Sequence, residues 1–209
     1  MKPTVRGLYA ITPDTGDTAQ LLLNTRAALR GGAQAVQYRS KSADIALKHE
    51  QATELLELCR DFHVPLIVND DVRLAALVDA DGVHVGEEDA RLIEARIILG
   101  PDKIIGVSCY QDLAKALQSE AEGADYVAFG SFYASPTKPG ARSCPLSLLT
   151  EAKAKLHVPV IAIGGITPDN ARPLINAGAD AIAVISALFD APDVTGSAQE
   201  FAALFATRH

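Results

Sequence analysis

VIAIGGITPDNARPLINAGADAIAVIS, residues 160–186, carries one whole structural unit in its order of residue types. The run VIAIGG (160–165) is long enough for one strand, too short for a helix, and closes on Gly164-Gly165. Thr167-Pro168, then Asp169 and Asn170, supply the polar oxygens and first-turn proline of a helix start, which predicts a helix over 168–177. The turn NAGAD then leads into a second apolar run, AIAVIS (181–186). Six earlier runs have the same form: GLYAIT (7–12), AVQYR (35–39), PLIVND (65–70), GVHVG (82–86), IIGVSC (104–109) and YVAFGS (126–131). Helical spacing follows each, over 21–30, 43–62, 72–78, 90–99, 112–122, 146–156, 168–177 and 198–207. Eight strands alternating with eight helices predict an α/β protein, a single-domain (β/α)8 TIM barrel over residues 1–209, whose strand ends converge on one face.

A weak repeat supports this reading. GGAQAVQYR, DADGVHVG, EGADYVAFG and NAGADAIAVIS share a helix-ending turn, an Ala or Asp, and an apolar strand, as stacked βα units do. The alternative, a doubly wound open sheet, lacks its nucleotide-type glycine loop after the first strand. At 209 residues, about 26 per unit, the barrel is minimal and its loops must be short.

The formal net charge of −7 argues against a nucleic-acid partner but leaves room for small anions held by local cations. Cys59, Cys109 and Cys144 have no metal-type spacing and cannot all pair, which suits reduced thiols in a cytoplasmic enzyme. Residues 1–4 run almost directly into the first strand and leave no space for a signal peptide, and no apolar run approaches a membrane span. No membrane partner is expected; a homo-oligomer is compatible with the sequence.

The polar residues at the strand ends are the chemical signal. A buried parallel strand should be nearly continuously apolar, so Gln37 and Arg39, two apart on one face, are anomalous. If alternation continues, Gln37, Arg39 and Lys41 face one volume, with Arg39 and Lys41 suited to phosphate oxygens. The plain alternative is an ion pair between Arg39 and a barrel carboxylate. After the third strand, Asn69-Asp70-Asp71 offers more oxygens than a single helix cap needs; Asp70 aimed at the mouth would suit Mg2+, with Asp89 a second candidate or simply an N-cap. His84 is either a satisfied core histidine or a catalytic group, and Ser108 either a phosphate donor or a backbone partner. Ser135-Pro136-Thr137-Lys138-Pro139 holds two hydroxyls and a lysine in a stretch stiffened by two prolines, and Gly165 with Ile185-Ser186 sits where barrels commonly bind phosphate. Two anion sites, one cationic and one built from backbone amides, suggest a metal-dependent transfer between two phosphorylated small molecules.

QYRSK (37–41), VNDD (68–71), DGVHVGEED (81–89), SPTKP (135–139) and AIGGI (162–166) together resemble the thiamine-phosphate synthase family, over residues 7 to about 188. The resemblance implies a transferase of thiamine biosynthesis. It would move the 4-amino-2-methylpyrimidin-5-ylmethyl group from its pyrophosphate to 4-methyl-5-(2-phosphooxyethyl)thiazole, releasing pyrophosphate. It further implies substrate contacts along Gln37, Tyr38, Arg39, Ser40 and Lys41, joined by Asn69, Ser108 and Lys138 around the pyrophosphate. Asp70 and Asp89 would hold Mg2+; Ser135, Pro136, Thr137, Gly165, Ile185 and Ser186 would hold the thiazole phosphate. Arg39, Lys41 and Lys138 would stabilise the leaving-group charge. Ala134 stands where relatives often carry a more rigid residue, which bears on the stiffness of the following loop. A thiazole tautomerase-like isomerase and a non-catalytic thiamine-phosphate sensor are the competing readings, the first of which has no need of the cation cluster.

Overall fold

The computed structural model describes residues 2–86, 92–134 and 143–206. Eight parallel strands close in chain order into a barrel: β1 (Gly7–Ile11), β2 (Ala33–Tyr38), β3 (Leu66–Asn69), β4 (Gly82–Val85), β5 (Ile104–Tyr110), β6 (Tyr126–Phe129), β7 (Val160–Ile163) and β8 (Ala181–Val184). Between and after them lie α1 (Thr18–Arg30), α2 (Ile45–Asp61), α3 (Val72–Leu77), α4 (Leu92–Leu99), α5 (Leu113–Ala121), α6 (Leu146–Lys155), α7 (Pro168–Asn176), α8 (Ser186–Phe189) and α9 (Val194–Ala206).

The repeat seen in the sequence has a physical meaning at each letter. α5 and α7 end in a left-handed glycine, Gly123 (φ 95°) and Gly178 (φ 112°), and the amides of Ala124 and Ala179 bond back to Ser119 and Leu174. This is the Schellman ending, which satisfies the orphan carbonyls of the last turn. Asp79 (φ 58°) and Ala80 do the same for α3. The aspartate that follows then reaches across the barrel floor. Asp81 accepts from the Leu66 amide at 2.8 Å, Asp125 from Ile105 at 2.8 Å, and Asp180 from Val160 at 2.9 Å. Each carboxylate thus fixes the start of the preceding strand. Lys153 and the pair Lys2 and Arg96 neutralise Asp180 and Asp125. Aspartates also cap the opposite helix ends: Asp17, Asp44, Asp71 and Asp112 each accept first-turn amides of α1, α2, α3 and α5.

Side-chain alternation sorts the apolar residues into two layers. Tyr9, Ile11, Ile67, Ile104, Tyr126 and Ile161 point into the barrel, beside the small Ala35, Ala181 and Ala183. The complementary positions pack outward against the helices. Gly106 is required inside: a Cβ there would lie 1.9 Å from Cζ of Tyr126.

The strands are shorter at the mouth than their apolar runs suggest. β1, β3, β7 and β8 stop at Ile11, Asn69, Ile163 and Val184, because the residues that close each run leave the ladder to form the rim. β5 instead continues to Tyr110 through an irregularity after Ser108. α8 is too short to show a helical period; α9 starts at Val194, whereas the sequence pattern shows it only from Ala198, because Gly196 interrupts the pattern before that. Of the predicted helix over 90–99, the structure describes the part from Leu92. Among the described residues no helix is long and apolar enough to cross a membrane.

Candidate active site

All eight strands contribute to one cavity of about 870 Å³ at their C-terminal ends. Gln37, Arg39, Asn69, Asp70 and Ser108 line it from β2, β3 and β5, and Gly165, Ile185 and Ser186 from β7 and β8. These sequence-distant candidates therefore share one volume.

β2 shows where alternation holds and where it stops. Gln37 and Arg39 face the cavity; Thr12 Oγ1 accepts from the Arg39 amide at 3.0 Å and fixes the backbone there. Among the described residues no carboxylate forms an ion pair with Arg39. Tyr38 turns to the other side. Its hydroxyl donates to Gln51 on α2 at 2.9 Å, which commits the side chain to the helix layer, away from the cavity. Lys41 and Ser40 do not line the cavity either. The strand ends at Tyr38, so the period of two no longer governs them: Lys41 is exposed with its amide on Asp14 at 2.9 Å, and Ser40 accepts from the Ser42 amide at 3.2 Å.

β3 resolves the choice among its acidic residues. Asp71 caps α3 through the Leu74 amide at 2.9 Å and pairs with Lys48 at 2.9 Å. Partial burial works to raise its pKa, but Lys48 and the helix amides outweigh it and hold the carboxyl below its usual range. With the cap supplied by Asp71, Asp70 is left to the cavity. Its backbone is left-handed (φ 64°), its amide bonds the His84 carbonyl at 2.8 Å, and its carboxylate accepts from Asn69 Nδ2 at 2.5 Å. A non-glycine residue in this region costs conformational energy and persists only where its surroundings enforce it. Asp89 lies outside the described residues, as do Ser135, Pro136, Thr137 and Lys138. Among the described residues no group of three His, Cys, Asp or Glu side chains is arranged around a metal position.

His84 is both satisfied and part of the cavity wall. Nδ1 lies 3.0 Å from the Tyr126 hydroxyl and Nε2 lies 2.8 Å from Ser108 Oγ. Burial pushes its pKa down to about 4, so the ring is neutral near pH 7. Burial also raises the pKa of Tyr9 and Tyr126, which keep their hydroxyl protons. The two tyrosines were not singled out in the sequence, because an aromatic residue in mid-strand reads as core. Tyr110, at 41% exposure, is a further wall residue that the sequence does not mark.

The opposite wall is a turn that needs glycine. Gly164 (φ 105°) and Gly165 (φ 63°) are left-handed, and hydrogen bonds tie the turn to the β6 loop through Phe132 with Ile163 and Tyr133 with Gly164. Asn170 at the start of α7 bonds both the Thr167 amide and the Gly165 carbonyl, so the helix start and the turn are built as one piece. Beyond β8, Ser186 opens α8 at the cavity edge. The cysteines take no part: all three are unpaired and buried, and burial pushes their thiols up to about 12 for Cys59 and about 11 for Cys109 and Cys144.

The chain matches the family model described as thiamine monophosphate synthase over residues 8–188. It is 60% identical over 200 residues to the thiamine-phosphate synthase of Thiobacillus denitrificans, covering 96% of this chain and 95% of that protein. It is 53% identical over 201 residues to the thiamine-phosphate synthase of Nitrosospira multiformis, covering 96% and 86%. Among solved structures, the thiamine phosphate pyrophosphorylase from Pyrococcus furiosus superposes with a TM-score of 0.86 at 38% identity, covering 97% of this chain and 96% of that one.

Proposed function

Because the chain belongs to the thiamine monophosphate synthase family, and so makes thiamine phosphate by group transfer, we propose how the cavity divides that reaction between two phosphorylated substrates. The β2–β5 wall takes the pyrimidine pyrophosphate; the β7–β8 wall, with the segment 135–137, takes the thiazole phosphate. The supporting observation is the convergence of Gln37, Arg39, Asn69, Asp70 and Ser108 on one side of a cavity whose other side carries Gly165 and Ser186.

In the transfer, the bond between the pyrimidine's exocyclic carbon and the pyrophosphate oxygen breaks, and the leaving group departs with the electron pair. The thiazole nitrogen then supplies the pair for the new C–N bond, with no protein nucleophile. Negative charge grows on the leaving oxygen, so preorganised cations and donors aimed there are the main contribution of the protein. Arg39 offers a planar fork for it, Ser108 a hydroxyl, Lys138 an ammonium, and Lys41, exposed outside the cavity, a mobile charge that would swing in on binding. A chain net-negative by 7 gains from concentrating cations there.

The Asp70 carboxylate, a hard oxygen donor on the cavity wall, fits a Mg2+ ion, which takes one or two protein carboxylates and completes its shell with water and phosphate oxygens. Asp70 with Asp89 would hold it, and it would neutralise charge on the departing pyrophosphate. Three unpaired thiols suit the reducing cytoplasm.

Pyrophosphate release assayed with both substrates tests the proposal. Release that requires both substrates, and falls when Arg39 is replaced by Ala, is expected. Isomerisation of the thiazole phosphate alone, or binding without release, would refute it.

A further inference from the structure

Along the cavity floor a line of hydrogen bonds crosses the barrel from β2 to β5. Gln37 Nε2 donates to the Tyr9 hydroxyl at 3.0 Å, and that hydroxyl lies 2.9 Å from the Tyr126 hydroxyl. The Tyr126 hydroxyl lies 3.0 Å from His84 Nδ1, and His84 Nε2 lies 2.8 Å from Ser108 Oγ. Tyr9 is 1% exposed and Tyr126 is fully buried. The rings are fixed by packing. His84 stacks on Tyr126 with centroids 5.6 Å apart, Tyr9 meets it edge-on at 6.0 Å, and Gly106 gives Tyr126 its space.

A hydrogen inventory gives this line a direction. A hydroxyl has one hydrogen, and buried polar hydrogens are rarely left unpaired. Tyr9 accepts from the Gln37 amide, so its own hydrogen goes to Tyr126. Tyr126 then donates to His84 Nδ1, which leaves the imidazole hydrogen on Nε2. Nε2–H donates to Ser108 Oγ, and the Ser108 hydrogen remains for the cavity. Both ends of the line, Gln37 and Ser108, are cavity residues.

We propose that Tyr126 and His84 are positioning residues that fix Ser108 as an obligate hydrogen-bond donor into the cavity. An accepting ligand oxygen is what such a donor selects, and an anionic one gives the stronger bond. The inference rests on the reading of this wall as the pyrophosphate side. It differs from that reading in requiring Tyr126 and His84 to act through Ser108.

Two measurements test it. In 15N-labelled protein, long-range proton–nitrogen correlations assign the His84 tautomer, with His84→Gln identifying the signal. A neutral ring carrying its hydrogen on Nε2 is expected; a hydrogen on Nδ1 reverses the line and overturns the proposal. Kinetics then ask whether Tyr126 acts through Ser108. Ser108→Ala is expected to raise KM for the pyrophosphate substrate, or lower kcat, by about ten- to a hundredfold, the range for one hydrogen bond to a charged group. Tyr126→Phe, which removes one oxygen, is expected to cost about three- to tenfold on the same parameter. In the Ser108→Ala background the Tyr126→Phe effect should vanish to within about twofold. An undiminished effect in that background, with both proteins folded by thermal melting, would make Tyr126 a merely structural residue and overturn the proposal. If Ser108→Ala leaves the pyrophosphate substrate unaffected, the substrate assignment of this wall fails, and the tautomer alone decides the direction of the line.

Discussion

Replacing Gly165 by alanine separates a turn that merely tolerates glycine from one that demands it. Two costs can be worked from the structure. The backbone at 165 is left-handed (φ 63°), which for a residue with a Cβ costs roughly 1–2 kcal/mol. The new Cβ would also lie 2.3 Å from the Ala134 carbonyl oxygen and 2.8 Å from that of Tyr133, so the first contact must open by about 0.7 Å to reach 3.0 Å. The sequence suggests that a side chain here would intrude on the phosphate; the structure directs it at the β6 loop instead. Ala134 leads directly into residues 135–138, so a shift at Ala134 passes to the segment expected to hold both substrates. The conformational cost alone should lower Tm by about 2–8 °C at 2–4 °C per kcal/mol for a chain of this size. A shift approaching 1 Å in substrate-holding groups should lower kcat/KM for both substrates by about ten- to a hundredfold. Differential scanning calorimetry and steady-state kinetics with each substrate varied in turn read these effects. Gly165→Asn keeps the contact but tolerates left-handed backbone better, so it should recover part of the Tm loss and little of the activity. A fully stable, fully active Gly165→Ala protein would refute the reasoning, and a loss confined to the thiazole phosphate would restore the simpler picture.

Asp70→Asn should fold with nearly unchanged stability, because asparagine accepts the left-handed backbone that Asp70 occupies, while Mg2+-dependent turnover falls beyond the 10–100-fold typical of outer-shell changes; full turnover at limiting Mg2+ would remove Asp70 from the metal site. Gly106→Ala should cost about 1–3 kcal/mol or more in urea unfolding through overpacking against the Tyr126 ring, and unchanged stability would mean that the ring moves freely. The pH dependence has a definite sign. The His84 pKa is about 4 folded against an ordinary 6.5, so the unfolded chain binds the proton more readily and stability is lost as pH falls through that window, by about 3 kcal/mol in all, while above pH 6.5 the contribution is complete. His84→Gln should show a correspondingly smaller loss of urea stability between pH 7 and pH 4.5, and parallel curves for the two proteins would contradict this.

The fold was legible because its signals are local. Apolar runs, helix caps and the Gly-Ala-Asp turns each act within a few residues, and their repetition leaves few topologies. The strand ends were harder, since a residue such as Asp70 or Gly165 continues an apolar run in sequence but leaves the ladder in space. Within the site, alternation correctly puts Gln37 and Arg39 on one face, and fails for Lys41 because β2 has ended by then. It also puts Tyr38 on the opposite face, where Gln51 holds it. The sequence offers three polar residues at 69–71 without saying which caps α3; the answer depends on Lys48, 23 positions away, and on the helix start at Val72. Least legible was the hydrogen-bond line along the cavity floor. Tyr9 and Tyr126 are 117 residues apart, and each reads alone as an apolar core residue.

Backbone strain shows why residues must be read with their elements. Four described residues other than glycine have positive φ: His63, Asp70, Asp79 and Tyr110. Two of them have an ordinary cause. His63 and Asp79 are the first residues beyond the caps of α2 and α3, and the amides of His63 and Val64, and of Asp79 and Ala80, close Schellman endings onto Arg60 and Cys59, and onto Ala76 and Ala75. That conformation satisfies carbonyls and needs no function to explain it. Asp70 and Tyr110 follow or end strands, terminate no helix, and line the cavity. Their neighbours hold them there: the Asp70 amide is bound by the His84 carbonyl, and the Tyr110 carbonyl accepts from the Gly130 amide at 3.0 Å. The same dihedral angle is therefore a helix-ending device at the barrel floor and an enforced exception at its mouth. At Asp70 the exception turns the chain so that one carboxylate serves the cavity and the next, Asp71, caps the helix.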